Sequence, residues 1–114
     1  MLHTVSLKGN GNFRRLYHRG TSAANRCLVL YCCRSRSRKN RVGITVSAKL
    51  GHAVVRNRIR RRLREIYRLN ESRFRTGWDI IVVARSCAVT AEYAELEKAY
   101  LSLAAKLGLL EETV

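Results

Sequence analysis

The sequence predicts an α/β protein, an α+β sandwich in which helices cover a small central sheet in the order α-β-β-α-β-α. Three observations predict this class: short apolar runs typical of strands, two long segments with apolar residues at helical spacing, and a length of 114 residues. A chain of this length buries roughly two-thirds of its unfolded surface, enough for a core without disulfides. We expect one domain over residues 1–114, because the sequence has no internal repeat and no long Gly/Ser linker.

The first helix is predicted over residues 12–19. Phe13, Leu16 and Tyr17 fall at positions i, i+3 and i+4, so they share one helical face. Gly20 follows at a position where glycine commonly ends a helix.

Two strands are predicted next, over residues 26–34 and 41–47. The first is rich in apolar and aromatic residues, and the second alternates, with Val42, Ile44 and Val46 on one side. The loop between them is polar and cationic. We expect the two strands to form a hairpin with a basic tip. The small side chains on its second face would leave room for a ligand to lie across it.

The second half of the chain predicts a long helix over residues 53–70, a strand over 78–85 and a helix over 91–107. Thr90 is a suitable N-cap for the last helix, and Gly108 is a suitable end. An apolar stripe runs along this helix at spacings of three and four residues. Its members are Tyr93, Leu96, Tyr100, Leu103 and Leu107.

The charge of the chain is its most unusual property. The formal net charge is +15, and residues 1–87 hold 21 of the 23 Lys and Arg residues. Residues 88–114 are acidic, with five Glu against two Lys. A field of this strength destabilises a small protein by self-repulsion unless a polyanion neutralises it. Nucleic acid is therefore the expected partner, ahead of an anionic membrane surface.

Membrane insertion and export are not expected. No apolar run approaches 18 residues, and the N-terminal segment lacks the apolar core of a signal peptide. We therefore expect a cytoplasmic protein with no membrane partner.

The cysteines and histidines show no metal-binding pattern. Cys27, Cys32, Cys33 and Cys87 match neither a CxxC pair nor a zinc motif. They are interpreted as reduced, buried small hydrophobic residues. No metal site is predicted in the chain.

The segment from Lys49 to Arg68 carries the strongest functional signal. On a helical wheel the apolar residues of this segment form one stripe. Glu65 is the only acidic residue of the segment. An ordinary solvated face usually mixes charges to gain i, i+4 pairs, so a face for binding phosphates is the favoured interpretation. Arg62 is the exception, since it falls inside the apolar stripe; either its stem snorkels past the core edge or the stripe is narrower. The residues opposite the stripe are Arg56, Asn57, Arg60, Arg61, Arg64 and Arg68.

Aromatic residues near cations give a weaker signal. Phe13, Tyr17 and Tyr31 flank basic residues, an arrangement that single-stranded nucleic acid requires for base stacking beside a charged backbone. The alternative is that these aromatic side chains belong to the core, and composition alone favours that alternative.

The residues now permit a comparison with a known family. Arg56-Asn57-Arg58 followed by Arg60-Arg61, with Lys49 and Gly51 before it, resembles the RNR motif of the bacterial ribonuclease P protein family. The similarity extends over roughly residues 10–105 and includes Phe13, Tyr17 and Tyr31. The sequence differs from the family pattern at Ala48, His52 and Arg62, which concerns local detail at the helix start and one core contact.

The resemblance implies a function and an assignment of residues. The catalyst would be the RNA subunit, with Mg²⁺ bound mainly by that RNA and no cofactor in the chain. The protein, at one copy per RNA, would bind the catalytic RNA and the 5′ leader of precursor tRNA and assist removal of the leader. The resemblance also implies a left-handed β-α-β crossover, against the general rule. The implied RNA-binding residues are Lys49, Arg56, Asn57, Arg58, Arg60, Arg61 and Arg64, and the implied leader-cleft residues are Phe13, Tyr17, Tyr31 and Ser47.

No catalytic residues are predicted in the chain itself. Asp79 is its only Asp, so it lacks the paired acidic ligands of a two-metal nuclease. The alternative function is a basic ribosomal or other structural RNA-binding protein without a processing role. A DNA-binding helix is a weaker alternative, because no helix-turn-helix partner or dimer seam is evident.

Overall fold

The computed structural model describes residues 4–6, 10–35 and 38–111. A five-stranded sheet runs through it in the order β1-β4-β5-β3-β2. β3 is antiparallel to β2 and β5, whereas β4 is parallel to β1 and β5. The strands are β1 (Thr4–Ser6), β2 (Thr21–Ala24), β3 (Leu28–Arg34), β4 (Asn40–Thr45) and β5 (Trp78–Ala84).

Helices cover both faces of the sheet, which confirms the predicted α/β class. The main core lies on the face where α2 and α4 pack, and a smaller apolar cluster lies beneath α1 on the other face. Within the described part of the chain, no helix has the length and apolar character needed to cross a membrane. The helices are α1 (Asn10–Arg19), α2 (Ala53–Asn70), α3 (Cys87–Thr90) and α4 (Tyr93–Lys106).

The predicted hairpin of the two early strands is wrong, because β5 lies between them. Each residue of β3 from Leu28 to Arg34 pairs with β5, and β4 pairs with the other edge of β5. The physical reason is burial. Ile80, Ile81 and Val82 are fully buried on both faces of the sheet, and only a central strand provides that environment. β4 and β5 are parallel neighbours joined through α2, so they form a β-α-β unit.

The α1–β2 corner is built on a close backbone approach. α1 ends at Arg19 as predicted, and the Gly20 N–H donates to the Leu16 carbonyl at 2.9 Å. A Cβ at Gly20 would lie 2.5 Å from that oxygen and 2.9 Å from the Cys32 carbonyl oxygen. Only glycine fits this corner without a backbone shift. Strand β2, which follows directly, was not predicted because its four small residues carry no apolar pattern.

α2 has the bounds that its sequence predicts. Ile59, Leu63 and Ile66 are buried in the core, and Val55 packs at its margin. Arg62 is half-buried and its Nη1 donates to the Ala91 carbonyl at 3.2 Å. Leu69 is 56% exposed, so the apolar stripe is narrower than the sequence suggests, and the half-buried stem of Arg62 lies at its edge.

The last helix begins later than predicted, and Thr90 is not its cap. Thr90 ends the short helix α3, and Ala91 then adopts an extended conformation with a buried side chain. α4 starts at Tyr93, with Glu92 at the N-cap position. Burial of Ala91 breaks the helical path that the sequence pattern suggested. The predicted end is confirmed, since Gly108 follows the helix with a φ of 74°.

Candidate nucleic-acid interface

The exposed side of α2 presents an array of guanidinium groups. Arg61 and Arg64 are exposed, and no acidic partner is found for either among the residues that the structure describes. The buried Ile59, Leu63 and Ile66 fix the helix rotation, so these arginines must face outward. We call this surface the arginine face. It consists of Arg56, Asn57, Arg58, Arg60, Arg61 and Arg64 of α2, together with Lys49 from the turn before the helix.

Some members of the arginine face also contact the protein. Arg58 Nη2 donates to the Val89 carbonyl at 3.1 Å, and Arg60 Nη1 donates to Asn57 Oδ1 at 3.0 Å. Arg56 is half-buried, and its Nε has no hydrogen-bond acceptor in the described structure. Arg58 is therefore partly committed to the α3 backbone, whereas Arg61 and Arg64 keep their donors for an external acceptor.

Arg68 lies at the far end of the helix and differs from the others. Its guanidinium pairs with Glu65 through two hydrogen bonds of 3.0 and 2.5 Å. The hydrogen bonds from Arg68 hold the pKa of Glu65 below its usual value. The arginine face thus ends before Arg68, because Glu65 neutralises the charge of Arg68.

Two further predicted site residues, Ser47 and Lys49, lie in the connection between β4 and α2. Ser47 is exposed, and its Oγ accepts the Lys49 N–H at 3.2 Å, which caps a 3-10 turn over Ala48–Leu50. Lys49 is exposed on that turn. His52 is exposed at the N-cap of α2 without a side-chain capping bond. The turn therefore joins the open end of β4 to the arginine face.

Three aromatic side chains meet on the other face of the sheet. The rings of Tyr17 and Tyr31 are in edge contact, with centroids 4.8 Å apart and an interplanar angle of 84°. Phe13 packs beside them against the buried Leu16 and Ile81. Tyr17 is 42% exposed, whereas Phe13 and Tyr31 are half-buried. The structure therefore brings the three predicted aromatic residues together, with Tyr17 the most accessible.

Ser47 lies away from this aromatic group. The register places Gly43 level with Tyr31 across β5, and Ser47 follows Gly43 by four residues. That separation is roughly 13 Å along the strand direction. Between them lie the half-buried side chains of Thr45 and Val83, which leave this part of the sheet face open. The open face thus leads from the tyrosines toward the 3-10 turn.

A buried carboxylate holds α1 on this face. Asp79 is fully buried in β5, and Arg41 of β4 binds it through two hydrogen bonds of 2.8 and 2.7 Å. Arg15 of α1 donates to the same carboxylate and to Cys33 Sγ. The sequence predicts Asp79 inside the strand over 78–85 and gives no sign of this cluster. No local pattern marks it, because its members come from three separate elements.

The electrostatics of Asp79 follow from two opposing effects. Burial raises the pKa of a carboxyl group, but the hydrogen bonds from Arg41 and Arg15 outweigh burial and leave the pKa of Asp79 below its usual value. The carboxylate is thus ionised at neutral pH and neutralises part of the charge of two arginines. It lies beneath α1 as a structural group that no substrate reaches.

Comparisons with known proteins agree with the residues and the fold. A family model described as Ribonuclease P matches residues 1–108. The ribonuclease P protein component of Alkaliphilus oremlandii is 44% identical over 108 residues, which cover 95% of each chain. That of Lachnoclostridium phytofermentans is 46% identical over 99 residues, covering 87% of this chain and 85% of the relative.

Solved structures give the same result. The Staphylococcus aureus RNase P protein has a TM-score of 0.86 and 34% identity, covering 96% of this chain and 98% of that one. The Thermotoga maritima RNase P protein has a TM-score of 0.81 and 26% identity, with 94% and 98% covered. The motif, the fold and these matches together show that the chain belongs to the ribonuclease P protein family, the accessory subunits of the RNase P endoribonuclease.

Proposed function

We propose that the arginine face binds the catalytic RNA of ribonuclease P. The observation that carries this proposal is the exposure of Arg61 and Arg64 without a carboxylate partner in the described structure. Guanidinium groups bind phosphate oxygens through two parallel hydrogen bonds, which suits a folded RNA backbone. Lys49, Arg56, Asn57, Arg58 and Arg60 extend the same surface.

The aromatic cleft is the proposed binding site for the 5′ leader of precursor tRNA. It comprises Phe13, Tyr17 and Tyr31, with Ser47 at the far end of the open sheet face. An unpaired leader exposes its bases, and an accessible tyrosine ring offers a surface on which a base stacks without sequence preference. The leader would then run along the sheet toward Lys49, where the backbone meets positive charge.

We propose different roles for the protein and the catalytic RNA. The protein neutralises phosphate repulsion between two RNAs, while the catalytic RNA cleaves the leader with Mg²⁺ that it binds itself. One protein copy per catalytic RNA, in the cytoplasm, completes the proposal. A structural RNA-binding role without processing is not favoured, since the relatives named above are ribonuclease P proteins.

Replacement of Tyr17 by alanine tests the leader site. We expect affinity for precursor tRNA to fall by about tenfold in the assembled enzyme, because one stacked base contributes roughly 1–3 kcal/mol. Affinity for mature tRNA, which has no leader, is expected to stay unchanged. Binding constants for both RNAs would be measured with the same holoenzyme preparation.

Tyr17→Phe is the matched control. It retains the ring and should keep the affinity of the wild-type protein if stacking is the interaction. Equal losses for precursor and mature tRNA in the alanine variant would rule out a leader-specific role for this residue.

A further inference from the structure

Two cysteines meet in the main core, and neither belongs to the proposed RNA-binding residues. Cys27 Sγ and Cys87 Sγ lie 2.6 Å apart, although 60 positions separate them in the sequence. Cys27 precedes β3 and is buried, while Cys87 begins α3 and is half-buried. Neither the arginine face nor the aromatic cleft uses them. Sequence spacing gave no sign of this pair.

The backbone already holds the two residues together. The Arg85 N–H donates to the Cys27 carbonyl at 2.8 Å, two residues before Cys87. On the other side, Asn25 Oδ1 accepts the Cys27 N–H at 3.1 Å. The two sulfurs can therefore approach one another by side-chain rotation, without movement of a strand or helix.

The distance distinguishes two chemical uses of the pair. A disulfide brings two sulfurs to about 2.05 Å, which requires a small further approach. Two thiolates on one zinc ion, each about 2.3 Å from the metal, lie roughly 3.8 Å apart and would have to separate by more than 1 Å. Glu95 has its carboxylate within 4.8 Å of both sulfurs, but its side chain is exposed. The geometry therefore favours bond formation over metal binding.

We propose that Cys27 and Cys87 are an oxidation site, at which a peroxide converts the two thiols into an intramolecular disulfide. Cys87 sulfur attacks one peroxide oxygen, the O–O bond breaks, and the thiol becomes a sulfenic acid with release of water. Cys27 sulfur then attacks Cys87 sulfur. The S–S bond forms, the S–O bond breaks, and the hydroxyl leaves with the Cys27 proton as a second water. Two thiols lose two electrons and the peroxide gains them.

The environment indicates which sulfur reacts first. Burial, together with the hydrogen bond to Cys87, raises the pKa of Cys27 to about 11. Cys27 thus keeps its proton, and its sulfur is shielded from solvent. Cys87 is the more accessible of the two residues, so its sulfur meets the oxidant first.

The disulfide would join the start of β3 to α3 on the face of the sheet opposite Tyr31. It would close a long loop of the chain and so restrict the unfolded state. We expect the oxidised protein to melt about 5–15 °C above the reduced protein. RNA binding at the aromatic cleft should not depend on it.

The experiment uses the full chain with Cys32 and Cys33 replaced by alanine. This background is needed because Cys27, Cys32 and Cys33 lie on one tryptic peptide, between Arg26 and Arg34. The reduced protein is treated with stoichiometric hydrogen peroxide, and free thiols are counted in denaturant. The expected result is loss of both remaining thiols, a monomer lighter by two hydrogens, and a cross-linked pair of tryptic peptides. The wild-type chain should retain two of its four thiols.

Cys87→Ser in the same background is the matched control, chosen because Cys87 is less buried than Cys27. It should form no intramolecular cross-link and show no rise in Tm. Three outcomes would overturn the proposal: oxidation of Cys87 that stops at sulfinic acid, cross-linking only between chains, or stoichiometric binding of Zn²⁺ by the reduced protein that protects both thiols from peroxide.

Discussion

Replacing Arg61 and Arg64 by alanine is expected to weaken binding to ribonuclease P RNA by roughly 100-fold. Each hydrogen bond to a charged phosphate contributes about 1.5 kcal/mol to binding. Neither arginine has an acidic partner in the described structure, so binding breaks no ion pair within the protein. The slope of log affinity against log salt should also fall by about 1.5, because two phosphate contacts disappear. Equilibrium binding to the RNA across a salt series measures both quantities.

Lys98→Ala with Lys106→Ala is the control for net charge. Both lysines are exposed on α4, in the acidic part of the chain, and their removal lowers the net charge by the same amount. We expect a loss of affinity of less than about threefold and a nearly unchanged salt slope. If the two double variants lose equal affinity, binding depends on overall charge and the arginine face has no special role.

Asp79→Asn is expected to destabilise the fold by about 2–3 kcal/mol at neutral pH, with a Tm lower by about 10–15 °C. The substitution removes the anion that Arg15 and Arg41 share and leaves two cations close together. The estimate lies below the range for fully buried pairs because the side chains of these arginines are 33% and 31% exposed. Thermal unfolding of both proteins measures the difference. Glu65→Gln, which removes an exposed pair, should melt close to wild type.

The loss of stability caused by Asp79→Asn should be largest near neutral pH and smaller in acid. The pKa of Asp79 is lower in the folded protein than its unfolded value of about 3.9. The ion pairs therefore stabilise the fold fully above the unfolded pKa, and this stabilisation is lost as pH falls through the folded pKa. The difference between the wild type and the variant should shrink in strong acid. A difference that is constant from neutral pH into strong acid would show that the ion pairs do not cause it.

Replacement of Asp79 should also change how the aromatic cleft is held in place. Arg15 anchors α1 through this carboxylate, and Tyr17 lies two residues further along the same helix. A less firmly held α1 would position the Tyr17 ring less well against Tyr31. If Asp79 positions Tyr17 through Arg15, we expect Asp79→Asn to weaken the binding of precursor tRNA more than that of mature tRNA.

Local patterns predicted the helices well because each helix carries its own periodicity. α2 needs only its own 18 residues to specify a buried stripe and an opposite cationic side. The same holds for the buried positions of α4, Leu96, Tyr100 and Leu103. The start of α4 could not be predicted in this way, since it depends on the burial of Ala91 by other elements.

Strand order and side-chain clusters could not be predicted from local pattern. The apolar sequence of β5 predicts a buried strand. Its position between β3 and β4 depends on which strands require partners on both edges, and a local pattern does not contain that information. Asp79 and its two arginines, like Cys27 and Cys87, become neighbours only after the sheet has formed. The residues of the aromatic cleft came from the family resemblance, because composition alone favoured a core role for them.

Cleavage of precursor tRNA by reconstituted components at low Mg²⁺ tests the central claim most directly. The assay compares the RNA subunit alone, the protein alone and the two together, and it measures release of the 5′ leader. We expect the protein alone to release none, and the two together to cleave at Mg²⁺ concentrations at which the RNA alone is inactive. Leader release by the protein alone, or no gain when it is added to the RNA, would contradict the account.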